Sequence, residues 1–137
     1  GRVDCYLSYQ TRCHSIGVEY DPRIYETAAE NQKTAVSGGR TEFVLADAGE
    51  FPVPGAVNRA YFFNPFSVEL LQKVIRRILD SWYEVSREIR LFFYYPSDEY
   101  LAYLMTVDEL VFADEIDCRE LFDGNDARER IVEFVLE

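Results

Sequence analysis

The stretch SIGVEYDP, residues 15–22, decides the fold, because it predicts a short buried strand that turns directly into a helix. Ile16 and Val18 are apolar and β-branched, as a buried parallel strand requires. Asp21 is a favoured N-cap residue, and Pro22 suits the first helical position because its missing N–H group would be unpaired there. The predicted strand therefore ends in an acidic residue just before the chain turns into the helix.

That acidic residue, Glu19, has two interpretations. In a doubly wound sheet the carboxyl ends of the strands face the ligand crevice, and an acid at the tip of the second strand binds the hydroxyl groups of a ribose. A solvated charge at the end of a strand would produce the same local pattern. The stretch by itself leaves both interpretations open.

The size and composition of the chain predict one globular domain that spans residues 1–137. A chain of 137 residues can bury a core of useful size, and 48% of its residues are apolar, which is ordinary for a globular protein. The formal net charge of −11 argues against nucleic acid as a partner, because affinity for a phosphate backbone comes largely from Lys and Arg side chains. A local basic patch would be needed to overcome this repulsion.

The cysteine pattern indicates a reducing compartment and no metal site. The cysteines Cys5, Cys13 and Cys118 are odd in number and lack the spacing of metal ligands. No run is long and apolar enough to span a membrane, and no basic-then-apolar signal segment opens the chain. We therefore expect a cytoplasmic protein that does not associate with membranes.

Hydrophobic periodicity predicts strands and helices in alternation, followed by two strands in succession. The predicted helices lie near residues 3–9, 22–36, 67–83 and 97–105, and the predicted strands near residues 16–19, 41–47, 58–63, 89–95, 109–117 and 128–137. Gly38 and Gly39 are expected to end the second helix in the left-handed conformation. We expect the last two strands to pair antiparallel, because a turn cluster at residues 123–126 and no helix separates them.

This alternation predicts an α/β three-layer sheet with polar or aromatic groups at the carboxyl ends of successive strands. Glu19, Asp47 and Asn64 each follow a predicted strand, and the corner at residues 94–96 ends another. In an open α/β sheet these ends form the binding crevice. Three polar tips on separate strands favour a nucleotide-like ligand.

The order of elements and the residues at the strand ends resemble class I S-adenosylmethionine-dependent methyltransferases over nearly the whole chain. Glu19 resembles the family's acid that binds the ribose hydroxyls, and Tyr20 resembles the position that packs on adenine. Ala46, Asp47 and Ala48 resemble the third-strand motif that meets the adenine amine. The terminal strand pair is similar to the antiparallel sixth and seventh strands that separate this fold from a nicotinamide-binding one. The resemblance implies a Rossmann-like fold with S-adenosylmethionine as the cofactor.

The segment FFNPF, residues 62–66, is similar to the family's fourth-strand motif beside the transferred methyl group. The resemblance implies that Asn64 contacts the cofactor and positions the acceptor, although a residue before proline also suits a plain turn. The motif lacks the doubled proline of amino-methylating nucleic-acid enzymes, which favours a small-molecule or protein acceptor. The acceptor pocket would be lined by Pro65, Phe66, Tyr94 and Tyr95. The two tyrosines suit the core and rim of the fold equally well.

The family's first strand and its glycine-rich loop have no counterpart in this chain beyond residues 1–3, which resemble the end of that loop. Gly1 precedes Glu19 by eighteen positions, close to the roughly twenty residues expected between such a loop and its ribose acid. The resemblance therefore implies that Gly1 contacts the cofactor and that the domain is incomplete at its N-terminus. We expect an interrupted sheet, with the break between the strands near Val18 and Phe62. We also expect the chain alone to bind S-adenosylmethionine poorly and to transfer little or no methyl.

Two other functions stay open. A non-catalytic nucleotide-binding or interaction module could share the same fold. A nicotinamide-dependent oxidoreductase is the other alternative, and the antiparallel strand pair and the lack of an obvious hydride-transfer partner argue against it. Stabilisation of the chain by NAD but not by S-adenosylmethionine would favour the oxidoreductase.

Overall fold

The computed structural model describes residues 2–36, 38–63, 67–122 and 126–137, and the chain divides into two compact units, Gly1–Phe51 and Pro52–Glu137. The first unit contains helix α1 (Arg2–Thr11), strand β1 (Ser15–Glu19), helix α2 (Pro22–Thr34), a 3₁₀ turn (Gly38–Arg40) and strand β2 (Thr41–Leu45). The second unit contains β3 (Arg59–Phe62), α3 (Val68–Glu84), β4 (Ile89–Tyr94), α4 (Asp98–Leu104), β5 (Val111–Asp117), a second 3₁₀ turn (Arg119–Phe122) and β6 (Arg130–Leu136).

The sheet of the first unit consists of β1 and β2, which run parallel. Ser15 lies opposite Thr41, and Glu19 lies opposite Leu45. The strand predicted at β1 is present, but it is less buried than predicted, because all five of its residues are half-buried. Among the described residues β1 has a strand neighbour on one side only, which leaves part of its surface uncovered.

Helix α2 begins as the sequence predicts and ends earlier than predicted. Asp21 is its N-cap, with Oδ1 accepting a hydrogen bond from Arg23 N at 2.9 Å. The helix ends when Ala35 becomes extended, and no described glycine has a positive φ. The left-handed termination expected at Gly38 and Gly39 is therefore wrong. A Cβ atom at Gly38 would overlap the carbonyl oxygen of Gln32, so this glycine serves a close approach of two backbone segments.

The sheet of the second unit has four strands in the order β3-β4-β6-β5. Strands β3 and β4 are parallel, and β6 runs antiparallel to both β4 and β5. The predicted antiparallel pairing of the last two strands is confirmed. A register shift between Phe112 and Asp114 marks a bulge in β5.

The core of the second unit lies on one face of this sheet. Residues of β4 alternate between buried and half-buried, as expected of a strand with one covered face. Phe93 contacts Tyr100 of α4 edge to face, with the ring centroids 6.5 Å apart. The helix α3 contributes a buried apolar stripe, and fully burying each such side chain stabilises the fold by roughly 1.5–3 kcal/mol before entropy is counted. The stripe consists of Leu71, Val74, Ile75 and Ile78.

The end of α3 is held by a single arginine. The guanidinium of Arg87 donates to the carbonyl oxygens of Val57 at 2.6 Å, Ser81 at 3.0 Å, Val85 at 2.8 Å and Pro54 at 3.3 Å. It also donates to the hydroxyl of Ser81 at 2.8 Å. Arg87 thus satisfies carbonyls at the C-terminus of the helix and ties the 54–57 loop to it.

The strands near Val18 and Phe62 belong to different sheets, as expected from the sequence. Parallel strand pairs, interleaved helices and a final antiparallel strand pair confirm the predicted Rossmann-like α/β fold class. No helix in the described ranges is both long and apolar enough to cross a membrane.

Candidate functional site

The predicted cofactor residues of the first unit lie at one end of its parallel strand pair. Glu19 is the last residue of β1, and its carbonyl oxygen accepts a hydrogen bond from Ala46 N at 2.9 Å, just beyond β2. Parallel strands bring their carboxyl ends to the same edge of a sheet. The structure therefore brings together two segments that the sequence could only predict separately, the acid at residue 19 and the segment at residues 46–48.

One oxygen of the Glu19 carboxylate accepts a hydrogen bond from the backbone, and the other is available to a ligand. Its Oε1 accepts a hydrogen bond from Asp21 N at 3.1 Å, which fixes the side chain over the turn into α2. In the part of the chain that the structure describes, no residue donates a hydrogen bond to its other oxygen, Oε2. An ionised carboxylate with one free oxygen is a strong acceptor for a ligand hydroxyl group.

Asp47 and Tyr20 are exposed beside this carboxylate's strand end. Asp47 Oδ1 accepts from Gly49 N at 2.8 Å, so its carboxylate is also oriented by the backbone two residues further on. The Tyr20 side chain is 76% exposed, which leaves its ring face open to a planar group. Ala46 and Ala48, on either side of Asp47, are half-buried.

Polar contacts hold α1 against β1 below this end. The hydroxyl groups of Ser8 and Ser15 lie 2.6 Å apart, and Arg40 donates to the Ser8 carbonyl oxygen at 3.0 Å and 3.3 Å. A Cβ atom at Gly17 would come within 2.7 Å of the Phe43 ring, so β1 needs glycine at this point. Burial raises the pKa of the Asp4 carboxyl, which faces the same glycine.

In the second unit an aromatic row follows the parallel strands β3 and β4. Phe63, directly after β3, stacks on Tyr94 at the end of β4, with centroids 5.1 Å apart and an interplanar angle of 16°. Tyr95 continues the row, with its centroid 6.4 Å from that of Tyr94. The Phe63 side chain is 59% exposed, so the row ends in an open ring face.

Two carboxylates hold the tyrosine hydroxyls of this row. Tyr94 Oη donates to Glu129 Oε2 at 2.6 Å, and Tyr95 Oη donates to Asp126 Oδ2 at 2.6 Å. The Glu129 hydrogen bond, with burial, raises the pKa of Tyr94 to about 12, and Asp126 raises the pKa of Tyr95 in the same way. Both tyrosines therefore stay protonated near neutral pH, and neither can serve as a general base there.

Tyr95 has an unusual backbone, with φ at 53° in the left-handed region. Its N–H donates to the Arg130 carbonyl oxygen at 3.0 Å, and the guanidinium of Arg128 lies 5.0 Å from its ring centroid. A left-handed non-glycine residue costs on the order of 1–2 kcal/mol and persists where surrounding contacts enforce it. The corner at residues 94–96 is therefore held in a defined orientation.

The other predicted site residues, Gly1, Asn64, Pro65 and Phe66, lie outside the described residues. The structure adds Glu129 and Asp126, which the sequence marked only as part of a turn and a strand entry. The antiparallel register, with Tyr94 opposite Ile131, is what brings these acids to the end of β4. A pairing prediction carried to individual residues could have found them.

Three other chemistry-bearing side chains are not among the predicted site residues. Cys13 is an exposed free thiol, Cys118 is a buried one, and His14 is exposed. Within the described residues no group of three or more His, Cys, Asp or Glu side chains could hold a metal ion.

No protein-family model and no curated protein matches the sequence. Among solved structures, the chain is similar to a protein of the NADB-Rossmann superfamily from Streptococcus agalactiae, with a TM-score of 0.65 and 15% identity over 97% of this chain and 55% of that one. It is similar to the N-methyltransferase NodS from Bradyrhizobium japonicum, in complex with S-adenosyl-L-homocysteine, with a TM-score of 0.60 and 11% identity over 90% of this chain and 65% of NodS.

An rRNA methylase from Streptococcus thermophilus is similar too, with a TM-score of 0.59 and 12% identity over 90% of this chain and 72% of that one. The chain spans little more than half the length of the Streptococcus agalactiae protein, at 55%. Identities this low establish the fold alone. The chain has the fold of the class I S-adenosylmethionine-dependent methyltransferases.

Proposed function

We propose that this chain belongs to an S-adenosylmethionine-dependent methyltransferase and carries its adenosine-binding residues. The observation that supports this most is the Glu19 carboxylate at the carboxyl end of β1, oriented by Asp21 N and with Oε2 open. A carboxylate so placed accepts hydrogen bonds from the two ribose hydroxyls. The exposed ring of Tyr20 is suited to pack on adenine, and Asp47, between Ala46 and Ala48, is suited to accept from the adenine amine.

The main contribution that methyl transfer requires of this chain is to orient the methyl donor and the acceptor. When bound, S-adenosylmethionine supplies a sulfonium-activated methyl group. Binding donor and acceptor in line contributes much of the rate acceleration, so no protein nucleophile is needed. The raised pKa of Tyr94 removes it as a base, and Asn64 is our candidate for positioning the acceptor. Gly1 completes the proposed cofactor contacts, and Pro65, Phe66, Tyr94 and Tyr95 complete the acceptor side.

We propose a small molecule or a protein as the acceptor. Methylases of rRNA occur among the structural neighbours, but this chain has 14 Lys and Arg residues against 25 Asp and Glu residues. Several arginines of the second unit are already paired with carboxylates, namely Arg90, Arg119, Arg128 and Arg130. These pairs, with the excess of acids over bases, weaken any attraction to a phosphate backbone.

Titration of the isotope-labelled chain, followed by the amide resonances of β1 and β2, tests the cofactor assignment even where binding is weak. S-adenosylmethionine and S-adenosylhomocysteine should shift the resonances of Glu19 and Ala46, and NAD should not. Glu19→Ala should weaken binding roughly ten- to a hundredfold, since a charged hydrogen bond contributes on the order of 1.5–3 kcal/mol. Glu42→Ala changes an exposed acid near the start of β2, away from the strand's carboxyl end; it is the matched control and should change nothing.

A transfer assay then separates the enzyme from a binding module. Because we expect the chain alone to transfer little or no methyl, the assay uses the chain together with any residues that its gene encodes before Gly1. The protein is incubated with methyl-labelled S-adenosylmethionine and a cell extract, which is afterwards divided into small-molecule, protein and nucleic-acid fractions. Label that enters the first or second fraction and depends on Glu19 supports the proposed acceptor class. Binding of S-adenosylmethionine without incorporation of labelled methyl would instead favour the non-catalytic module. Resonance shifts caused by NAD alone would contradict the methyltransferase assignment.

A further inference from the structure

The outer edge of β5 is open, and none of the proposed cofactor or acceptor residues belongs to this strand. β5 is the last strand of the four-stranded sheet, and it pairs with β6 along one side. On its other side no strand pairs with it in the described part of the chain. All seven of its residues are exposed, although the Phe112 ring packs edge to face on Phe134 of β6 with the centroids 6.0 Å apart. An open edge presents unpaired N–H and C=O groups to any strand that can reach it.

Exposed apolar side chains on β5 provide surface against which another strand can pack. Val111 is 54% exposed, Phe112 is 49% exposed and Ile116 is 48% exposed. Natural edge strands are commonly blocked by charged side chains, most often lysine, by proline, by a bulge or by a covering helix. β5 contains neither lysine nor proline, and its bulge between Phe112 and Asp114 lies toward one end. The charged residues from Asp114 onward are all acidic, so they oppose pairing with another acidic strand and not with a basic one.

The charge of the edge is acidic. Glu115 pairs with Arg130 at 2.8 Å and Asp117 pairs with Arg119 at 2.6 Å. The Asp114 carboxylate accepts from Glu115 N at 2.7 Å and pairs with no cation among the described residues. More acids flank the strand than these two arginines can balance, namely Asp108, Glu109 and Glu120.

This charge discriminates between two occupants of the edge. A second copy of the chain would place the acids of one β5 beside those of another, and like charges in adjacent strands are destabilising. A basic strand would instead gain the main-chain hydrogen bonds together with ion pairs. We propose that β5 is a docking strand that captures an extended basic segment of a partner protein by β-strand addition. The proposal does not depend on the cofactor and stands whether or not the chain transfers methyl groups.

The register along β5 gives the partner's pattern. Val111 and Phe112 form an apolar end, opposite Val135 and Phe134 of β6. Residues 114–117 form the acidic end, with Ile116 as its one apolar member. The captured segment should therefore carry apolar residues against the first end and Lys or Arg against the second.

The test uses three short, end-capped peptides with the full chain. One peptide has valines in one half and lysines in the other, the second replaces each lysine by glutamate, and the third replaces the middle residue of the first by proline. The lysine peptide should shift the β5 amide resonances, slow their hydrogen exchange and bind more weakly as salt is raised. The glutamate and proline peptides should not bind, because they lack the charge complement and the main-chain donor respectively.

Charge reversal at one exposed position locates the binding. Asp114→Lys should weaken the lysine peptide about tenfold, which corresponds to about 1.4 kcal/mol. Glu84→Lys, at the exposed end of α3, changes the net charge equally and should leave the affinity unchanged. Thermal melting of both variants should match that of the parent, since both side chains are exposed.

Several results would overturn the proposal. Equal binding of the lysine and glutamate peptides would mean non-specific adhesion, and equal weakening by both variants would mean a net-charge effect. Resonance shifts confined to another surface would remove β5 from the interaction. Sedimentation of the unliganded chain as a dimer, reversed by Asp114→Pro, would assign the edge to a second copy. An absence of binding by all three peptides would refute strand addition outright.

Discussion

The interior of the first unit and the interior of the second unit are stabilised by different kinds of contact. Among the buried apolar side chains that the structure describes, all but one belong to the second unit, and the exception is Ala28. The other buried side chains described in the first unit include the polar residues Ser8 and Thr41. Hydrogen bonds engage both, since Ser8 meets Ser15 and Arg40, and Gln32 donates to the carbonyl oxygen of Thr41.

This difference has a functional consequence. A hydrogen bond contributes about 1 kcal/mol net, whereas each buried large apolar side chain contributes roughly 1.5–3 kcal/mol. The first unit, which carries Glu19 and Asp47, should therefore open more readily than the second. A ligand that binds its native form then stabilises it by mass action, so cofactor binding and ordering of this unit should be coupled.

The largest expected effect tests the core of the second unit. Leu91 in β4 is fully buried, so Leu91→Ala should destabilise that unit by about 2–5 kcal/mol. Val18 in β1 is only half-buried, and Val18→Ala should cost about 1 kcal/mol. Urea denaturation read by amide resonances resolves the two units separately. Leu121→Ala, at a side chain that is 77% exposed, should have no effect, and equal losses for Leu91 and Val18 would break the comparison.

How far the sequence predicted the structure follows from the same contrast. The α3 stripe is a local periodic pattern and β4 is a continuous apolar run, so the sequence located both elements. No local pattern records that α2 ends at Thr34 or that Gly38 lies close to the carbonyl group of Gln32. The acidic tips at Glu19 and Asp47 were predicted from strand ends, but the pairing of Tyr94 with Glu129 joins residues far apart in sequence.

The next effect compares one arginine in each unit. Arg87→Met keeps the apolar stem and removes five hydrogen bonds, so it should cost about 2–3 kcal/mol of stability in the second unit. Arg40→Met removes two hydrogen bonds to the Ser8 carbonyl oxygen and should cost about 1 kcal/mol in the first. Chemical denaturation of the two variants measures this. A larger loss from Arg40→Met would show that the first unit depends on polar contacts more than its hydrogen-bond geometry indicates.

A smaller effect concerns ligand discrimination in the first unit. If Asp47 accepts from the adenine amine, Asp47→Ala should narrow the preference for S-adenosylhomocysteine over its hypoxanthine analogue by about three- to tenfold, the equivalent of one hydrogen bond. Titration with the two ligands measures the ratio, and Glu42→Ala provides the control. Discrimination that stays unchanged in Asp47→Ala would remove Asp47 from adenine recognition.

The smallest effect concerns the alkaline behaviour of the aromatic row in the second unit. The Glu129 carboxylate accepts the Tyr94 hydroxyl proton, and this bond with burial raises the pKa of Tyr94 to about 12. Because the folded pKa lies above the ordinary value of about 10, the contribution to stability is complete below pH 10 or so and is lost as the pH rises through about 12.

Carbon-13 NMR of labelled tyrosine follows this titration residue by residue. In Glu129→Gln the Tyr94 transition should move down toward that of an ordinary tyrosine, because the charged acceptor is gone. Tyr94→Phe should abolish the alkaline loss that this pair contributes to the second unit and leave the first unit unchanged. A Tyr94 transition at its ordinary pH in the parent chain would mean that the pair with Glu129 does not hold the aromatic row, and the orientation argued for the acceptor side would fall with it.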